Sequence, residues 1–316
     1  VSTLEVESVK DLEVITGTFN AEYGNAMSGV VNAVTKDGSN EFHGSVNSAY
    51  STYITDNKRN GEKVYIGLDP FGINSNSDFR FNLSGPIIKD RLYFFSNFRT
   101  QGINGHLNGI RRFNVWNLSN FYDQDSSKWY SENTGDSAFV PMNKGNYSSL
   151  MGKVSLDLGN IRLSWMLNNN YSQSRGYSHV YKYNPDGRSH SDANTSLMMV
   201  QLNHFLNEKM FYDIKYSITD NNYGSYVFED YDSYEVIKED GIYQGVYRFE
   251  GDTVYNYVND KYMTAFGTGF FTGGQDKGYT KRATVSRNFK TTFNWQATNA
   301  HSIKAGVSAT FYDLKN

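Results

Sequence analysis

The 316-residue chain contains no cysteine. That excludes a disulfide framework, a thiolate metal site and a cysteine nucleophile. Proline numbers only four, so long extended strands meet few forced breaks. Acidic and basic residues nearly balance, 33 against 30. Without a basic surplus no nucleic-acid partner is expected. No apolar run reaches the roughly 18 residues of a membrane-spanning helix, a test blind to strands that cross lipid with alternate positions apolar. P-loop, HExxH, GxSxG and EF-hand patterns are missing. The histidines at 43, 106, 179, 190, 204 and 301 are scattered, and His179 and His190 read as solvated residues of one polar loop. No enzyme activity, cofactor or metal site is therefore expected. A signal peptide is also missing, and the opening "VSTLEVESVK", without Met, reads as a cut inside a longer protein.

What is abundant is aromatic: 25 Tyr and 21 Phe, a composition that favours strands. Hydrophobicity alternates with period two. In "MFYDIKYSIT", Met210, Tyr212, Ile214, Tyr216 and Ile218 share one face, and Asp213, Lys215 and Ser217 lie on the other. In "FKTTFNWQA", Phe289, Phe293 and Trp295 oppose Lys290, Asn294 and Gln296. In "SIKAGVSATF", Ile303, Ala305, Val307, Ala309 and Phe311 oppose Lys304, Gly306, Ser308 and Thr310. Such strands have one greasy and one wet face. The same pattern predicts nine strands, near 41–53, 78–86, 91–100, 147–157, 161–172, 195–205, 210–219, 289–297 and 302–312. Each can cross a bilayer at a tilt, which takes about 9–11 residues.

The connections fall into two classes that alternate. "PIIKD", "LDLGN", "LNEK" and "TNAH" are short; 54–77, 101–146, 173–194 and 220–288 are long and polar. A meander then puts every short turn at one end and every long loop at the other. This predicts an all-β membrane barrel of antiparallel up-and-down transmembrane strands, with long loops extracellular. A soluble all-β sandwich or propeller is the competing architecture, and loops of this length are uncommon there. Tyr50, Tyr53, Phe79, Phe81, Tyr93, Phe94, Phe95, Phe98, Tyr171, Phe205, Phe211 and Tyr212 lie near strand ends, where lipid–water boundaries collect aromatic rings.

Ahead of the first strand, "DLEVIT" reads as a short strand and "NAEYG" as a helical turn. "GVVNAVTK" reads as a second strand closed at Asp37-Gly38. Val30, Val31 and Val34 are expected to pack a small core of this α/β unit. The run "SVKDLEVITGTFNAEYGNAMSGVVNAVTKDGSNEFHGSV", Ser8 to Val46, resembles the late plug and first barrel strand of TonB-dependent outer-membrane receptors. The matching positions are Glu13, Val14, Gly17, Ala21, Tyr23, Gly24, Gly29, Val30, Asn32, Val34, Thr35, Lys36 and Gly38, continued by Phe42, His43 and Gly44. "SGPIIKDRLYFFSNF" resembles the first periplasmic hairpin of the Oar-like subgroup, whose members carry a carboxypeptidase-regulatory-like N-terminal domain. Thr16 stands where many siderophore receptors have a basic residue, and Ser28-Gly29 replaces their Gly-Gly pair. The run that marks SusC-like glycan importers is missing.

The resemblance implies the C-terminal part of a plug over 1–39 and the first nine or so strands of a 22-stranded barrel over 40–316. It also implies that the polypeptide continues past Asn316. It implies a location in the bacterial cell outer membrane, contact with outer-membrane lipid, and import of an extracellular ligand energised by periplasmic TonB through an upstream segment. Peptide, glycan, siderophore and cobalamin stay open as ligands, with peptide favoured; a surface lipoprotein is a further partner left open. A non-transporting adhesion or assembly scaffold is the alternative. In the acidic, tyrosine-rich loop, Tyr223, Tyr226, Asp230, Tyr231, Asp232 and Tyr234 are candidate ligand contacts, against a reading of the loop as a solvated surface. "GIYQGVYRFEG" reads as a projecting hairpin.

Overall fold

In the computed structural model, residues 4–16, 29–68, 75–229, 234–239, 242–248, 254–258, 260–264 and 269–315 are described. Two strands, β1 (Val9–Ile15) and β2 (Val30–Thr35), pair antiparallel as a ribbon. Nine long strands follow: β3 (His43–Ser51), β4 (Asn76–Ile88), β5 (Leu92–Ile103), β6 (Lys144–Asp157), β7 (Ile161–Arg175), β8 (His190–Asn207), β9 (Met210–Tyr226), β10 (Thr280–Gln296) and β11 (Ser302–Lys315). They form one antiparallel sheet in strict chain order, with β3 and β11 at its edges. The sheet is not closed. The expected helical turn "NAEYG" lies outside the described residues.

Cross-strand partners fix the faces. Leu156, Val154, Gly152 and Leu150 of β6 sit opposite Leu163, Trp165, Leu167 and Asn169 of β7, and Trp165 in turn opposes Val200 of β8. Val200 opposes Tyr216, which opposes Phe289, which opposes Ala309. This apolar face is the exposed one: Trp165 is 45% and Val307 66% exposed. The other face is polar and covered, with Asn97, Ser149, Ser155 and Asn168 all buried. A water-soluble sheet has the opposite polarity. An apolar outside and a polar inside suit a wall standing in lipid around an aqueous bore. Phe95 departs from the expected aromatic belt. Its position puts it on the inner face, where it packs with Met151, Met166 and Leu4.

Several strands extend beyond their alternating core. β10 begins at Thr280, nine residues ahead of the expected 289, because "TKRATVSR" is polar on both faces and carries no period. The short turns at 89–91, 158–160, 208–209 and 297–301 share one end. In one of them Gly159 takes φ +84°, and its N–H donates to Asp157 Oδ1 at 3.0 Å; a side chain at that φ is disfavoured.

The described parts of the long connections at the other end carry structure of their own. Asn108–Ile110 pairs with Phe139–Pro141, and Ser119–Asn120 with Tyr130–Ser131. Backbone bonds tie three of these connections together: Ile110 N–H to Lys182 O, Phe271 N–H to Val180 O, and Gly274 N–H to Val115 O. Val115, Met142, Tyr181, Val258 and Met263 are each buried within these connections, and burial raises the Tyr181 hydroxyl pKa. "GIYQGVYRFEG" is not a hairpin by itself. Ile242–Arg248 is the middle strand of three, flanked by Tyr234–Glu239 and Val254–Tyr257.

Candidate functional site

The ribbon's own strands are largely exposed, and its two ends are fastened to the polar face of the wall by charged clamps. In the first, Arg80 of β4 and Arg99 of β5 are cross-strand partners. Asp78 accepts from both guanidinium groups, at 2.9–3.2 Å from Arg80 and 2.8–3.0 Å from Arg99. The N-terminal segment supplies the remaining carboxylates. Arg80 donates to Glu7 at 2.7 Å and Arg99 to Glu5 at 3.1 Å. The Tyr147 hydroxyl donates to Glu5 at 2.6 Å. Two arginines meeting three carboxylates in a partly dry interface make charge-assisted bonds of the stronger kind.

The second clamp lies near the short-turn end. Asp37 takes an ion pair from Lys153 at 2.9 Å and from Arg162 at 3.2 Å, and the Ser155 hydroxyl donates to it at 2.7 Å. Lys153 also donates to Thr35 Oγ1 at 3.1 Å. Just beyond, Asn40 and Asp90 bond each other through side chain and backbone. Gly38 fits here because a Cβ would stand 2.8 Å from Gly85 O and 2.9 Å from Phe94 N. Both are backbone atoms and cannot swing aside. Gly38→Ala is therefore expected to lower the melting temperature of the folded protein, with an overpacking cost of about 1–3 kcal/mol. Gly44→Ala, with looser neighbours at 3.1 Å and 3.3 Å, is the milder control in the same melting experiment.

Of the motif residues read from sequence, Thr35, Lys36 and Gly38 lie at the second clamp, where the Lys36 N–H donates to Ser8 O at 2.8 Å. Glu13 and Asn32 face each other across the ribbon, 3.5 Å apart. Gly29 adjoins Ile15. Gly17, Ala21, Tyr23 and Gly24 lie outside the described residues. The expected valine core does not form: Val31 is 65% and Val34 46% exposed. A two-stranded ribbon has too little apolar partner surface to bury them, and polar contacts with the wall hold it instead.

Burial tends to raise the Glu7 carboxyl pKa, but hydrogen bonds and charge from Arg80 outweigh it and hold the pKa below its ordinary value. A carboxylate pKa depressed by folding contributes stability that is complete above its unfolded value and is lost as pH falls through the folded one. Below about pH 4 the first clamp should therefore loosen. A spin label at Leu12→Cys, an exposed position in a cysteine-free chain, should gain mobility on acidification. Glu7→Gln should show the mobile signal already at neutral pH.

The loop candidates divide. Asp230, Tyr231 and Asp232 lie outside the described residues, and Tyr234 opens the first strand of the three-stranded sheet. Tyr226 is buried, with its ring stacked 5.8 Å from Tyr279 and edge-on to His190. Tyr223 is 42% exposed. Both border a cavity of about 380 Å³ lined also by Tyr171, Asn194, Asn222 and Lys281. His190 is not the solvated residue expected: it is half-buried and pairs with Asp192 at 3.0 Å. Sequence reading missed Glu5, Glu7, Asp78, Arg80, Arg99 and Lys153. Their signal was a charge at every second place between apolar neighbours, as in "DFRFNL".

No protein-family model matches the chain. A 99-residue stretch is 41% identical to the TonB-dependent transporter Oar of Myxococcus xanthus, covering 31% of this chain and 9% of that one. An 89-residue stretch is 38% identical to the probable TonB-dependent siderophore receptor PirA of Acinetobacter baumannii, covering 28% of this chain and 10% of that one. The chain thus matches about a tenth of these relatives' length. In fold it superposes on the outer membrane transporter YddB of Escherichia coli with a TM-score of 0.55 at 13% identity, over 98% of this chain and 35% of that one. The chain is a homologue of TonB-dependent transporters and an outer-membrane protein with the antiparallel barrel wall of their fold.

Proposed function

We propose that the chain is the stopper and leading wall of an importer that binds a ligand outside the cell and admits it when TonB pulls on the stopper. Residues 1–39 are the late plug and 40–316 the first nine strands, with the long loops on the outer side. The subgroup is the Oar-like one, on the strength of the "SGPIIKDRLYFFSNF" hairpin. A peptide is the favoured ligand. PirA is described as a siderophore receptor, which keeps that ligand class open.

One observation carries the reading: the ribbon is held to the wall by exchangeable polar clamps. Glu5 and Glu7 bond Arg99 and Arg80, and Asp37 bonds Lys153 and Arg162. Each net hydrogen bond to a charged group is worth only about 1.5–3 kcal/mol. A directed pull breaks such contacts one at a time, and water replaces the lost partners.

The test uses the full-length protein in living cells. A defined tryptic peptide mixture is supplied and its depletion from the medium is followed by mass spectrometry, with and without TonB. Depletion that needs TonB supports the reading. It should stop when Asp37→Cys and Ser155→Cys are oxidised to a cross-link, and resume on reduction. Equal depletion without TonB would sink it.

A further inference from the structure

Where β6, β7 and β8 meet the long connections, basic residues stand in one row. Lys144 opens β6 and is the cross-strand partner of Arg175, the last residue of β7. His190 opens β8, one place beyond Ser191, the partner of Ser174, so it continues the row past Arg175. Like charges set directly opposite one another across a sheet repel. All of them border a cavity of about 100 Å³, lined also by Asn146, Gln173 and Ser174.

The nearby carboxylates are engaged elsewhere. Asp186 bonds Arg111 and stands 3.8 Å from Arg175. Asp192 accepts from Gln173 at 2.9 Å and from Tyr171 at 3.3 Å, and pairs with His190 at 3.0 Å. Among the described residues no carboxylate pairs with Lys144. The Arg175 side chain is only 14% exposed. Its Nη1 donates to Pro185 O at 3.2 Å, but its Nε is buried with no hydrogen-bond partner among the described residues. A buried donor left unmade is costly, and water alone would leave the opposed charges of Lys144 and Arg175 unbalanced. An anion supplies acceptors and countercharge together. The Asn146 amide and the Ser174 hydroxyl can add neutral donors.

The row lies clear of the membrane. Arg175 is eight residues beyond Leu167 on β7, which at about 3.4 Å each is roughly 27 Å along the strand. The outward rungs between them, beginning with Asn169, Ser196 and Asp220, are polar, so the apolar belt does not continue to the cavity. Its volume is also below the range of about 300–1,000 Å³ for organic ligands and suits one small ion.

We propose that this cavity binds a free tetrahedral dianion, phosphate or sulfate, between Lys144, Arg175 and His190. Two negative charges match the row of basic groups better than the single charge of a carboxylate or halide. The ion joins strand ends from which the connections over 104–143 and 176–189 spring, so binding stabilises that end of the sheet. Whether TonB drives uptake has no bearing on it.

The experiment is isothermal titration calorimetry of the full-length protein in nonionic detergent and phosphate-free buffer, at constant ionic strength. The probes are inorganic phosphate and sulfate, with acetate and glycerol 3-phosphate as comparisons. Phosphate or sulfate should saturate a single site. Lys144→Gln should weaken it about tenfold, the equivalent of one charge-assisted bond. Lys58→Gln, a charge-matched change at an exposed position in another connection, should leave it unchanged. Arg175→Gln should abolish it; if that variant does not fold, Lys144→Gln decides. No saturable binding, undiminished binding by Lys144→Gln or an equal loss from Lys58→Gln would overturn the proposal. So would acetate bound as tightly, or glycerol 3-phosphate bound in preference to the free ion.

Discussion

Val200→Arg should destabilise the protein in lipid vesicles by about 2–4 kcal/mol, the range for a basic residue at the midplane of a barrel's lipid face. Val200 lies mid-strand between Trp165 and Tyr216 and is 37% exposed, so the guanidinium would have only acyl chains around it. Gln201→Glu, one residue along, points to the polar side, where Ser164 and Lys215 are its cross-strand partners. There the Lys215 ammonium faces the new charge, and a small change is expected. Urea unfolding of both variants in vesicles measures the difference. Equal effects would mean that the two faces do not have the environments assigned to them.

Asp37→Asn should release the ribbon. It strips the carboxylate from Lys153, whose side chain is only 11% exposed, and from Arg162, 38% exposed. Breaking a fully buried pair costs about 3–5 kcal/mol; Asp37 keeps 29% exposure, so about 2 kcal/mol is the fitting size after screening. At 1.4 kcal/mol per factor of ten, amide hydrogen exchange across Val9–Ile15 and Val30–Thr35 should quicken roughly 30-fold. Exchange in β6 and β7 should hardly change, because their ladders do not involve Asp37. Asp37→Glu should recover part of the protection.

The wall was legible because lipid and water impose a period of two that strands such as Met210–Ile218 display directly. Its long-loop ends were not, since outside the apolar zone both faces of "TKRATVSR" are wet. The clamps were half visible: Thr35, Lys36 and Gly38 belong to the recognised motif, yet Glu5 and Arg99 are separated by 94 residues, and only the folded register brings them together. Phe95 shows the limit of composition. An aromatic near a strand end suggests the membrane boundary, but its parity on β5 turns it inward against Met151. The buried residues of the long connections left no period at all, because they are single positions such as Val115, Tyr181 and Met263.

The unequal lengths of strand and membrane have a geometric outcome. β9 has 17 residues; at about 3.4 Å each and a tilt of roughly 40° they climb roughly 45 Å. The hydrocarbon-facing band is only about 25 Å tall. The sheet therefore stands like a parapet, roughly 20 Å of hydrogen-bonded masonry above or below the bilayer edge, and the packed loops crown it. A bulky solute approaching that rim meets ordered protein well before it reaches the membrane plane.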